Sequence, residues 1–250
     1  MTLKLKSWTG LGFGTVLFGI ALAACTDHAN TPHAEPHKSE VHVTESDEQS
    51  EIGHTVGSLP LEHRLAFMTG HVKAGLALYR AGAPEQAAPH LLHPVSETHK
   101  SERQGLEALG FKASLFETVS EALEKGRPAS EIEQQLTVAE ENLDSVARKA
   151  GGDTAGIIRF LMTTIVEEYS IAITDGVVTD PGEYQDAFGF AQVAKKHAEN
   201  LDANHKEAAL KEINDLISLW PHAPIPPESP TPVEQIIEKA SMVQFALPSE

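Results

Sequence analysis

The chain has 250 residues, 19 basic and 36 acidic, for a formal net charge of −17 at pH 7. So acidic a chain repels nucleic acid and anionic lipid headgroups and attracts cations, which excludes nucleic acid as a partner. Hydrophobic residues make up 41 %, enough for a packed core, but aromatics only 6 %, so Ala, Leu, Ile and Val must supply most of the packing.

Lys4 and Lys6 precede an apolar run rich in Gly and Ala, from about Trp8 to Ala24. A basic start, a short apolar middle and small residues at the end form a secretory signal. The run falls short of the ~20 residues that a bilayer span needs. It ends in Leu22-Ala23-Ala24-Cys25, and Cys25 is the single cysteine of the chain. This tetrad resembles the lipobox of bacterial lipoproteins. The resemblance implies cleavage after residue 24, acylation of Cys25, and a membrane anchor on the periplasmic side of the cell envelope. Thr26 after the cysteine resembles the pattern of lipoproteins sent to the outer membrane, although Asp27 follows one place later. With its thiol acylated, the chain has none left for a disulfide, so folding rests on packing.

Residues 25–58 are almost without apolar side chains and carry Asp27, Glu35, Glu40, Glu45, Asp47, Glu48 and Glu51 against one lysine, Lys38. A segment of that composition cannot bury enough surface to offset its ordering entropy, so it is expected to be a disordered tether. His28, His33, His37, His42 and His54 give it a weak capacity for metal ions, or mark no more than a polar linker.

From Leu59 onward the periodicity is helical. Pro60, with Ser58 nearby as cap, starts a helix whose apolar series is Leu61, Leu65, Met68, Val72, Leu76 and Tyr79. Gly82 closes it, and Ala83-Pro84 opens the next, which meets Pro89 and Pro94 and must kink or break there. Further helices are predicted from Pro94 to Leu109 and from Phe111 to Lys125. Ser130 with Glu133 matches a capping box for another that runs to about Ala150.

Gly151-Gly152 breaks the pattern, and Asp153 opens a strongly apolar helix predicted to end near Asp175-Gly176. Asp180-Pro181-Gly182-Glu183 combines a cap, a first-turn proline and a capping-box acid, and starts a helix to about Leu201. Another follows from Asp202 to Trp220. Residues 221–232 are proline-rich and extended, and Val233 to Phe245 forms a last amphipathic helix. No strand pattern is evident. The expected architecture is all-α, an antiparallel helical bundle or bundles: a helical subdomain at 59–150, a helical hairpin subdomain at 151–220, and the proline-rich segment and final helix at 221–250, with Gly151-Gly152 either dividing the first two or forming only a loop.

Common catalytic signatures are absent from the sequence, which argues against an enzyme. Two constellations could hold a cation. The first is His71, His90, His93 and Glu97, where imidazoles and a carboxylate from two helices suit a divalent metal in a bundle. Singly, each of these histidines also fits a structural hydrogen bond. The second is Glu168, Asp175, Glu183 and Asp186, around the connection at residues 175–180. Glu168 falls on the seam of Ile157, Leu161, Thr164 and Ile171, where a core residue belongs. Buried acids must be paired, protonated or bound to a cation. For Asp175 and Glu183, exposure at helix ends is the alternative.

Glu168-Tyr169-Ser170-Ile171-Ala172-Ile173-Thr174-Asp175-Gly176-Val177-Val178, followed by Glu183-Tyr184-Gln185-Asp186, resembles the periplasmic helical region found ahead of some bacterial iron permeases. The stretch around Gly70-His71 and His90-Leu91-Leu92-His93-Pro94 bears a fainter likeness to imelysin-type iron-uptake proteins, without their Gly-x-His-x-x-Glu motif. The permease itself is not represented: the chain has no set of membrane spans and no Arg-Glu-x-x-Glu signature. These resemblances imply cation handling near a transport system, and with the two constellations they make a divalent or transition metal, iron, zinc or copper, the expected ligand. The competing expectation is a helical scaffold that binds another cell-envelope protein.

Overall fold

The computed structural model describes residues 58–96, 100 and 103–249. Cys25, the tether and Glu97 lie outside them. Eight α-helices occur among the described residues: α1 Leu61–Arg80, α2 Pro84–Leu92, α3 Ala113–Glu124, α4 Glu133–Ala150, α5 Thr154–Ala172, α6 Pro181–Ala198, α7 Ala203–Ile217 and α8 Val233–Phe245. The all-α expectation holds. One minimal hairpin joins α5 to α6, pairing Ile173 with Val178 and Thr174 with Val177.

Two apolar clusters form the core. One is built by α5, α6, α7 and α8, and the other by α2, α3 and α4. α1 serves both: Ala66 and Phe67 join the first, and Leu65, Met68, Val72 and Leu76 join the second. The predicted series therefore marks only part of what α1 buries, because Leu65 through Val72 are buried without interruption. α1 packs against α2, α4, α5 and α6, so little of its circumference meets water.

Local signals succeed where a side chain can close on backbone N–H groups. Asp153 caps α5 by accepting from the amides of Ala155 and Gly156 at 3.1 and 3.0 Å. Asp180 caps α6 through Gly182 and Glu183, with Pro181 in the first turn. Other expectations are corrected. Pro60 is itself the N-cap residue of α1, and it has no side-chain cap bond. Ser130 lies in a 3-10 turn, Ala129–Glu131, and α4 starts after Ile132 without a side-chain cap. The helix predicted from Pro94 to Leu109 is replaced, among the described residues, by single 3-10 turns at His93–Val95 and Glu107–Leu109. Pro94 has no N–H to continue an α-helical ladder. α5 stops at Ala172, before the predicted end, because Ile173 turns extended and enters the hairpin. α7 ends at Ile217, three residues before Trp220.

Candidate metal centre

Close backbone approach sets up the site. A Cβ on Gly189 would collide with the carbonyl oxygen of Gly70, and one on Gly70 would collide with the Phe190 ring. α1 and α6 can therefore pack nearly backbone to backbone, which sets His71 beside Asp186 one turn before Gly189. Gly75 gives α2 similar access, since its Cβ would lie 2.9 Å from the Cβ of His90.

The side chains converge on one carboxylate. Oδ1 of Asp186 lies 2.7 Å from Nδ1 of His71 and 2.8 Å from Nδ1 of His90. His71, His90 and Asp186 are all buried, and a ligand atom from each lies within 4.8 Å of the others. On its far side His90 places Nε2 3.0 Å from Oε1 of Gln185. The Gln185 amide is oriented in turn by donating from Nε2 to Oε1 of Gln86 at 2.6 Å. His90 thus stands between two oxygen acceptors, an arrangement that suits an imidazolium donating from both nitrogens.

The electrostatics agree. Burial by itself would lower His90, but the hydrogen bond to Asp186 and its charge, with help from Gln185 and Glu183, hold the imidazole above its usual value. Burial would raise Asp186, yet the charges and hydrogen bonds of His71 and His90 outweigh it and hold the carboxyl well below the ordinary range.

His71 differs from His90 in having a bare nitrogen. Its Nε2 is buried with no hydrogen-bond partner among the described residues. Phe67 meets the ring edge-on at 4.6 Å, Phe190 does so at 5.2 Å, and His93 stacks on it at 4.0 Å with the planes 16° apart. Nδ1 of the same ring faces Asp186, so Nε2 points away from the carboxylate, and an ion shared with Asp186 would be met by Nδ1. Two imidazoles and a carboxylate form a donor set that suits a transition-metal cation. The residues therefore fit such an ion. His71, His90 and Asp186 would hold it, and the ion would supply positive charge to the carboxylate and accept the imidazole lone pairs in place of protons.

Glu168 lies beside this centre. Burial first, then the hydrogen bond and charge of Glu183, push its carboxyl up to about 10, with smaller contributions from Asp186 and Glu167. Burial and the neighbouring Glu183 thus favour the protonated form of the Glu168 carboxyl.

The fold thus redistributes the residues read from the sequence. His71 and His90 come from one predicted constellation and Asp186 from the other, and the three meet. His93 is buried against His71 without joining the set that converges on Asp186. Glu168 and Glu183 pair with each other. Asp175 sits exposed at the hairpin tip, with a left-handed φ of 52°. Sequence reasoning missed Gln185 and Gln86. Burial of Gln185 beside Asp186 was the only available signal, and it emerges only once α2 covers that part of α6.

No curated protein and no solved structure matches the chain. Four helices, α5 to α8, fill residues 152–244, whereas His71 and His90 reach Asp186 from α1 and α2, outside that span. It is this four-helix part, residues 152–244, that matches the family model of the iron permease-associated 4-helix bundle domain.

Proposed function

We propose that the protein is a lipid-anchored component of the cell envelope whose helical body binds a transition-metal cation in iron uptake or metal homeostasis. The observation that carries this reading is the convergence of His71 and His90, each through Nδ1, on the carboxylate of Asp186, with all three side chains buried. The match of residues 152–244 to a domain associated with iron permeases supports iron as the cargo. The lipobox-like Leu22-Ala23-Ala24-Cys25 supports anchoring at Cys25, periplasmic exposure and sorting to the outer membrane. No helix among the described residues is long and apolar enough to cross a membrane, so an anchor would have to come from elsewhere in the chain. Glu168 and Glu183 would adjust the charge around a bound ion, and the role is one of binding, not catalysis.

Elemental analysis of the purified full chain, followed by melting in the presence of Fe(II), Zn(II) or Cu(II), tests the reading. A ligand that binds only the folded state raises the melting temperature by mass action. The shift should disappear in H71A and in H90A. A shift that survives both substitutions rules out this site.

A second reading, a scaffold for another envelope protein, draws on α8. Its outer side leaves Phe245 84 % exposed, with Ile237 and Met242 also uncovered. Isolated exposed apolar residues are ordinary on protein surfaces, so this observation carries less weight than the buried polar cluster.

A further inference from the structure

A cavity of about 320 Å³ opens between the two apolar clusters, beneath the Gly151-Gly152 link. It lies among α1, α4, the start of α5 and the C-terminal half of α6, whereas Asp186 belongs to the N-terminal half of α6. Its volume is at the small end of the ~300–1,000 Å³ typical of small-molecule sites. Leu65, Ile157 and Val193 supply apolar wall.

The polar lining divides into groups already committed and groups left open. Lys73 is held by Glu140 at 2.9 Å and Lys196 by Glu199 at 3.0 Å. Arg148 and Asp144, by contrast, make no hydrogen bond or ion pair among the described residues, and neither does His197. Burial holds the His197 imidazole below its usual value, partly opposed by the charge of Asp144, so it is neutral at pH 7 and able to accept or donate. The cavity therefore offers one uncommitted guanidinium on the exposed Arg148, the uncommitted carboxylate of Asp144 one turn away on the same helix, a second carboxylate, Glu62, on α1, and a neutral imidazole above an apolar wall.

We propose that this cavity binds a small zwitterion with an apolar side chain, an amino acid or a short peptide, its carboxylate on Arg148 and its ammonium on Asp144. A guanidinium matches a carboxylate through paired N–H donors, and a carboxylate matches an ammonium. A plain carboxylic acid would leave Asp144 without a counter-charge, and a plain amine would leave Arg148 without one. The site is independent of the metal centre.

Calorimetry on the purified full chain tests this, with L-leucine and leucyl-leucine as zwitterions. The comparators are 4-methylpentanoate, which lacks the ammonium, and 3-methylbutylamine, which lacks the carboxylate. Binding of either zwitterion, with both comparators weaker by at least about tenfold, is the expected result. R148M and D144N should each weaken that binding by at least about tenfold, while the melting temperature without ligand stays near that of the wild type. Three results would each overturn the proposal: no binding of either zwitterion at millimolar concentration, a comparator as tight as the zwitterions, or unchanged affinity in R148M.

Discussion

Gly189 of α6 lies so close to Gly70 of α1 that a Cβ on the first would collide with the carbonyl oxygen of the second. His71 follows Gly70 directly, and Asp186 precedes Gly189 by three residues. The 2.7 Å contact between His71 and Asp186 is therefore set by two absent side chains on the facing helices.

Replacing Gly189 with Ala should accordingly act at a distance. The added methyl forces α1 and α6 apart and should cost about 1–3 kcal/mol, the usual range for overpacking a core. Urea denaturation measures this loss. The same variant should weaken or abolish the melting shift induced by Zn(II), because the Asp186 carboxylate would be drawn away from His71.

The pairing of His90 with Asp186 should give stability a bounded pH dependence. Asp186 is held below its ordinary value, so its contribution is present above the unfolded carboxyl value of 3.8 and is lost as the pH falls through the lower folded value. His90 is held above its ordinary value, so its contribution is complete below the unfolded imidazole value of 6.5 and is lost as the pH rises through the higher folded value. These are two ends of one interaction and count once. Asp186→Asn should therefore cost most between about pH 4 and 6.5, by about 3–5 kcal/mol as for other broken buried ion pairs, and less on either side. Denaturation of both proteins across pH 3 to 9 checks the profile, and a difference that does not vary with pH would contradict it.

Glu168 should behave in the opposite sense. Its carboxyl is raised from 4.5 to about 10, so above pH 4.5 the unfolded chain has released a proton that the folded chain retains. Stability then falls as the pH rises through this interval. Glu168→Gln removes that dependence while keeping a hydrogen-bonding side chain beside Glu183. The variant should be more stable than the wild type at pH 7 by at least about 1.4 kcal/mol, the worth of one pKa unit. Equal stability at pH 7 would show that Glu168 is already ionised there.

Metal binding should compete with protons. A ligating imidazole must be neutral, and His90 retains its proton to a higher pH than an ordinary histidine. The apparent affinity for Zn(II) should fall by roughly tenfold for each pH unit below the folded value of His90. Titrations from pH 8 to pH 6 read this directly.

The caps at Asp153 and Asp180 give a local control. Asp→Ala at either position removes a side chain that accepts two backbone N–H bonds, and should cost about 0.5–2 kcal/mol without changing metal affinity.

Much of the architecture is written in short-range chemistry. Asp153 and Asp180 announce helix starts because an aspartate can close on the next amides, and Gly82, Gly110 and Gly126 mark helix or turn ends at positive φ. The span Val233–Phe245 is likewise legible, because proline precedes it and its apolar residues keep helical spacing. The region after Pro94 is less so: apolar residues there suggest a helix, while the missing N–H and later turns prevent one.

The site was legible as a set of residue types, not as an arrangement. The sequence alone determined that Glu168 falls on an apolar helical seam and that His71 borders one, because periodicity depends only on neighbours within a turn or two. That His71 and His90 share Asp186, that Gln185 and Gln86 complete the chain of hydrogen bonds, and that Asp175 is left in solvent were decided by the tertiary structure. Those outcomes depend on how closely α1, α2 and α6 approach one another. Contacts between residues nearly a hundred positions apart leave no trace in local spacing.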